Sequence, residues 1–315
     1  MQRRCLRVLA LLAVLTLLAI AAFMTVGARG DWGFVLAFRG AKVLALLLVG
    51  GAVGVATVLF QTVTGNRILT PSVMGFDALF VLVQTTTIHL AGNIGTLPRE
   101  AGFVLQATLM VALSALLYGR MFRGEAHGLH IMVLAGIGLG TLFRALTALL
   151  QRMLDPAAFA VLQGRLFADF NRAELDLLAV AALAMAATGV MALRDLHRFD
   201  VIALGREPAI GLGVEYRPAV RRMLGMVAVL VAVPTALVGP IGFLGLLVAN
   251  LAYRIMPSSR HAVVLPAAAL LGMLALLLGQ LVLERVLGLG AALSIVIEFA
   301  GGVLFLLLLL RGARG

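Results

Sequence analysis

One lysine in 315 residues, Lys42, excludes a Gly-x-x-x-x-Gly-Lys-Ser/Thr phosphate loop, whose lysine must reach the terminal phosphates of a bound nucleotide. The chain therefore does not hydrolyse nucleotides by that device. One cysteine, Cys5, excludes an internal disulfide and a thiolate metal site. It precedes the first apolar run, where a lipoprotein anchor would be misplaced, and reads as an inert thiol. Serines are few and none stands in a Gly-x-Ser-x-Gly elbow, which argues against an intramembrane hydrolase. Charged residues are only 12% of the chain, too few to clothe a sizeable aqueous domain. What fills the sequence instead is 62% hydrophobic residues, with a mean hydropathy of +1.10. This is the composition of a membrane protein.

At about 20 residues per spanning helix, this length holds about ten helices. Arg3, Arg4 and Arg7 precede an apolar run from Val8 to about Ala28, longer than a signal-peptide core. Val26-Gly27-Ala28 imitates a cleavage site, but the later charges require a cytoplasmic amino end, so the run is read as an uncleaved first span. Further segments are predicted at about 43–63, 74–91, 102–119, 129–150, 174–193, 221–239, 241–253, 262–283 and 291–310. The eighth, Ile241 to Tyr253, is short and lies between Gly239-Pro240 and Pro257, so it is a half-helix or a short crossing. With ten crossings, sixteen basic residues face the cytoplasm and eight the outside, with Arg144 inside a segment. Demoting the eighth segment would turn Arg311 and Arg314 outward, against the positive-inside rule. Ten crossings with both termini cytoplasmic are therefore predicted. The net charge of +11 reads as membrane topology and not as nucleic-acid affinity, since the arginines flank apolar runs. Gly50 with Gly54, and Gly136 with Gly140, form four-residue small-residue pairs read as helix-packing seams, a substrate-lining groove being the alternative.

His89, His127, His130, His197 and His261 lie at segment ends or in loops, form no His-Glu-x-x-His pattern, and are read as interfacial, with no metal site. Arg144 and Glu298 fall inside apolar segments, where an unpaired charge is costly, and each would suit the other as a partner. Arg144 has two readings: attraction of an anionic solute at a pathway mouth, or snorkelling to the interface. The longest polar stretch, 194–222, is assigned to the cytoplasm. Within it, Leu204 to Gly213 reads as two short helices hinged by glycines, compact enough to press into a groove on another protein.

Three stretches together resemble one family: Phe60-Gln61-Thr62-Val63-Thr64-Gly65-Asn66-Arg67-Ile68-Leu69-Thr70-Pro71-Ser72-Val73-Met74-Gly75-Phe76-Asp77, the Ala203-Leu204-Gly205 to Leu212-Gly213 loop, and Gly239-Pro240-Ile241-Gly242-Phe243-Leu244-Gly245-Leu246. The chain is similar, over nearly its whole length, to the iron-siderophore branch of the binding-protein-dependent ABC importer permeases, relatives of the cobalamin importer permease. The family commonly has Asn-Pro-Leu at Asn66-Arg67-Ile68, and Pro-His-Ile-Ala-Arg at Ala249-Asn250-Leu251-Ala252-Tyr253-Arg254. Those departures, with the tail Ile297-Glu298-Phe299-Ala300-Gly301-Gly302, resemble the subgroup that pairs with a second, different permease for catecholate-type siderophores.

The resemblance implies an all-α, polytopic fold of about ten transmembrane helices, one of them short, in a single permease domain spanning 1–315. It implies a bacterial inner-membrane location, a partner permease, two cytoplasmic ATPase subunits that bind the ATP, and an extracytoplasmic siderophore-binding protein. Iron would pass as a chelate, with no cofactor on this chain and no bond chemistry. The 194–222 region would be the coupling loop, with Leu204, Gly205, Arg206, Glu207, Ala209, Leu212 and Gly213 contacting the ATPase. Arg39 and Lys42 match the family's basic doublet before the second helix, and Arg285 lies one position from its later basic residue. The three would dock the binding protein, the alternative being ordinary interfacial anchoring. Arg144 and Glu298 would belong to the translocation pathway. A rival from another class, an ion-gradient-driven secondary transporter, would need carboxylates near the bilayer midplane. Asp77 is placed near the inner start of the third segment and Glu298 in the outer half of the tenth, so a central proton relay is hard to build. A membrane scaffold would leave the glycine-hinged loop unexplained.

Overall fold

The computed structural model describes residues 2–27, 32–91, 99–121, 129–172, 175–285, 288 and 293–312. They form α1 (Gln2–Thr25), α2 (Trp32–Thr64), α3 (Asp77–Ala91), α4 (Arg99–Met121), α5 (Leu129–Arg152), α6 (Pro156–Arg165), α7 (Leu175–Arg194), α8 (Leu196–Ile202), α9 (Arg206–Gly211), α10 (Tyr216–Val238), α11 (Leu244–Ile255), α12 (His261–Arg285) and α13 (Leu293–Gly312). No strand occurs among the described residues. Eight of these helices are long and apolar enough to cross a membrane, and α11 and α13 contribute shorter apolar stretches, Leu244–Ile255 and Leu293–Val303. The ten predicted segments thus fall on ten helices, the eighth short as expected: α11 rises only about 18 Å at 1.5 Å per residue.

The core is built around α2, α10 and α12. α10 is buried along most of its length, from Ala219 to Val238. α2 and α12 approach backbone to backbone. A methyl group added at Gly50 would stand 2.5 Å from the Gly272 carbonyl oxygen, and one at Gly54 would overlap the Ala268 carbonyl. Contact this close needs the missing side chains and locks the two helices into one body. Gly136 and Gly140 of α5 form a second seam, against Met74 and Gly75.

Two local features escape the apolar pattern. A π-helical turn, Ser72–Phe76, precedes α3, with Gly75 at φ 98°. An L side chain rarely adopts that conformation. After α5, Asp155 caps an additional helix by accepting the Ala158 N–H at 2.9 Å, with Pro156 in its first turn, a standard helix start. Elsewhere the two departures from the family pattern touch each other. The Arg67 guanidinium lies over the Tyr253 ring, 4.3 Å from its centroid, and Asn250 Nδ2 donates to the Arg67 carbonyl at 3.2 Å.

Candidate functional site

Two motif glycines, Gly239 and Gly242, and the acid Asp77 meet at one cavity in the helix bundle. It is lined by Val49, Val53 and Thr57 of α2, by Ser72 and Asp77 of the π-turn region, and by the Gly239–Gly242 turn after α10. Each glycine of that turn region marks a close approach. Gly239 (φ 105°) would carry a methyl group 3.1 Å from the Phe167 carbonyl oxygen, and a methyl group on Gly245 would overlap Thr57. At Gly242 the neighbours are carboxylates: the methyl position is 3.3 Å from Asp77 Oδ2 and 3.8 Å from Glu298 Oε1. The expected separation of Asp77 and Glu298 is therefore corrected. Asp77 opens α3 directly after the π-turn, and both acids flank one glycine. Glu298 does not pair with Arg144, which instead lies against Gly140 on α5.

Arg144 is exposed on α5 beside exposed Thr141, and Gly138 next to them faces open space. The adjoining edge of the helix, with Gly136, Gly140 and Thr147, is buried, so Arg144 stands at the border between the packed and exposed sides of α5. A guanidinium within an apolar span is stable only toward water, toward a polar partner or snorkelled to the interface.

At the far end of α10 from Gly239 lies the 194–222 connector. Asp195 anchors it, accepting from Arg198 at 2.8 Å and pairing with Arg222 at 3.6 Å. The two short helices are α8 and α9, displaced upstream from the predicted 204–213 pair and hinged at Gly205 (φ 103°). Leu204, Gly205, Arg206, Glu207, Leu212 and Gly213 are exposed, whereas Ala209 is fully buried. Ala209 packs inward and accepts the Val214 N–H at 3.0 Å, so it cannot meet a partner directly. Its neighbour Ile210, absent from the sequence reading, is 53% exposed, beside Leu204 at 61% and Leu212 at 63%.

Of the basic residues assigned to docking, Arg39 and Lys42 are engaged within the chain. Arg39 donates to the carbonyls of Phe23, Met24, Val26 and Gly27 at 2.9–3.0 Å, closing the end of α1. Arg285 is exposed, with Nη1 2.9 Å from the methyl position of Gly27. Lys42 is buried, ion-paired with Glu284 and donating to Asn171 Oδ1 at 2.5 Å. Gln280 donates to the same Glu284 at 2.6 Å. Asn171 belongs to the segment after α6, which is tied to the bundle by Asp169 N–H donating to the Val238 carbonyl and Ala168 N–H to Ser294 Oγ. Lys42 is thus an internal clasp, and Glu284, its partner, was not singled out by sequence reasoning. The usable signal was a lone lysine and a glutamate at span ends assigned to the same membrane side.

The histidines also divide. His127 lies outside the described residues and so does the His130 side chain. His261 is not interfacial: it is 2% exposed and bonded to Asp200 and Thr62. Among the described residues no group of three or more His, Cys, Asp or Glu could hold a metal ion.

Comparison with known proteins matches residues 5–311 to the FecCD transport family. The petrobactin import system permease protein YclO of Bacillus subtilis is 42% identical over 305 residues, covering 96% of each chain. The petrobactin import system permease protein FatC of Bacillus anthracis is 31% identical over 271 residues, 85% of this chain and 77% of that one. The fold is shared with a metal-chelate type ABC transporter solved in an inward-facing conformation, with a TM-score of 0.85 at 22% identity over 98% of this chain and 99% of that chain.

Proposed function

We infer from one premise, that the chain belongs to the FecCD transport family, that it is the permease subunit of an ABC importer carrying a ferric siderophore across the membrane. The petrobactin import of two relatives makes a siderophore of that kind the first cargo to test. The structural observation that carries the reading is the α8–α9 connector: a compact, glycine-hinged platform with Leu204, Ile210 and Leu212 exposed beside Arg206 and Glu207. Such a patch on a chain without a nucleotide loop suits an ATPase subunit docked from the cytoplasm. ATP is bound and hydrolysed there, and binding biases the permease between outward- and inward-open states. This chain performs no bond chemistry, and iron is cargo within its chelate. Residues 1–315 act as one permease domain in the bacterial inner membrane, both termini cytoplasmic, beside a second, different permease.

Within that assembly, the exposed Arg144 face of α5 lines the pathway, where a guanidinium attracts an anionic chelate. Arg285, and Arg39 behind it, present positive charge outside to the acidic lobes of a siderophore-binding protein. Lys42 contributes by holding the surface that carries them. Arg144→Gln should lower uptake severalfold with ATPase association intact. Arg285→Glu should raise the binding-protein concentration giving half-maximal uptake about tenfold, and more at low salt, as for a rim charge that steers encounter. Unchanged uptake in either variant removes that residue's role.

The reading as a whole is tested by mild extraction from the native membrane with a tag after Gly315, followed by mass identification of what co-purifies. An ATPase and a second permease are expected. A stable assembly without any ATPase would overturn the importer.

A further inference from the structure

Resting on the coupling role proposed for α8–α9, we propose that Asp200, His261 and Thr62 form the joint that passes movement of that connector to the helices around the cavity. His261 opens α12 and is 2% exposed. Its Nδ1 lies 2.7 Å from Asp200 Oδ1, and its backbone N–H donates to the same oxygen at 2.7 Å. A carboxylate can only accept, so Nδ1 carries the proton in this pair. On the other edge of the ring, Nε2 is 2.7 Å from Thr62 Oγ1 in the last turn of α2. Phe199, next to Asp200 and 1% exposed, meets the imidazole edge to face at 5.8 Å. Three directional bonds thus join α8 to α12 and α2 at one buried point.

What lies beyond that point gives the connection its consequence. α2 and α12 are locked together through Gly50, Gly54, Ala268 and Gly272, so a displacement applied at their joined ends moves both. The same α2 carries Val49, Val53 and Thr57 on the cavity wall. The other end of the pair holds the Lys42–Glu284 clasp to Asn171. Apolar contacts such as Ile202 with its neighbours can slide, whereas a carboxylate that holds both the first N–H and the ring of His261 transmits direction as well as contact. These three are positioning residues, acting through the helices they join.

The test uses the complete importer in proteoliposomes with its ATPase subunits and binding protein, and reads uptake per ATP hydrolysed. Asp200→Ala and His261→Ala should keep ATPase subunits at wild-type stoichiometry while lowering that ratio at least tenfold. His261→Asn, whose amide nitrogen can replace Nδ1 as donor to Asp200 but does not extend to Thr62, should restore it in part. Thr62→Val, nearly unchanged in volume, should give an intermediate loss. An unchanged ratio in the variants, with only a lowered unfolding temperature, would make the cluster a structural staple and overturn the joint. The joint is equally overturned if the alanine variants fail to assemble and His261→Asn and Thr62→Val leave the ratio unaltered. A wild-type chain that recruits no ATPase overturns the coupling reading and the joint with it, whereas normal recruitment with unaltered coupling sinks the joint alone.

Discussion

Lys42→Met is expected to destabilise the protein by about 3–5 kcal/mol, because it leaves the Glu284 carboxylate buried without its counter-charge. The ammonium is almost fully enclosed, at 6% side-chain exposure, and Glu284 retains only 21%. Coulomb attraction at that depth is weakly screened, and Asn171 and Gln280 complete the hydrogen bonding. Glu284→Gln should cost less, since an amide can still accept from Lys42. Removing both charges, as Lys42→Met with Glu284→Met, should recover most of the loss, because the desolvation cost of both ions disappears together. A double-mutant cycle on unfolding in detergent checks this. Additive losses would show that the two groups do not act as a pair. A harmless Lys42→Met would return Lys42 to the pool of free docking cations. The single change should also loosen the segment carrying Asn171, so limited proteolysis after α6 should accelerate in Lys42→Met and not in the double variant.

Legibility followed the range of the interactions involved. The ten apolar helices were readable because a lipid-facing helix declares itself by its apolar run, and the 194–222 connector because its glycines occupy backbone conformations that other residues avoid: Gly205 and Gly213 lie at φ 103° and 82°. Which side chains of that loop face outward was less readable, because a six-residue helix offers under two turns of periodicity; Ala209 and Ile210 exchanged places for this reason. Residues that act through a distant partner were silent. Nothing near Asp77 announces Gly242 or Glu298, which come beside it only through the fold. His261 sits among polar residues at a segment boundary, the usual setting of an interfacial histidine, and only the fold brings Asp200 and Thr62 to it. Yet the two departures from the family pattern, noted separately at Arg67 and at Asn250–Tyr253, prove to be neighbours. Paired irregularities in otherwise matching motifs are a contact signal that sequence reading can use.

Leu212→Asp should detach the ATPase subunit, with at least a tenfold loss of affinity, and Leu204→Asp and Ile210→Asp should each do nearly as much. Burying one such side chain in a partner groove contributes about 1.5–3 kcal/mol, and a carboxylate in its place adds a desolvation cost; tenfold corresponds to about 1.4 kcal/mol. All three lie on the exposed side of the α9 platform, so none supports the chain's own core, and insertion and unfolding temperature should stay at wild-type values. Ala209→Asp should behave in the opposite way: fully buried beneath the platform, it should lower stability first and lose the ATPase only as a consequence. Charge reversal at Arg206 and Glu207 should weaken association less, and more at low salt than at high salt, because exposed charges at a rim act mainly on encounter. Measured by surface capture of the ATPase on permease in nanodiscs, the order of loss should be Leu212 and Leu204, then Ile210, then the charged pair. If the order reverses, with Arg206 and Glu207 dominant and the apolar variants silent, the connector docks by charge, and the three exposed apolar side chains face something other than the ATPase.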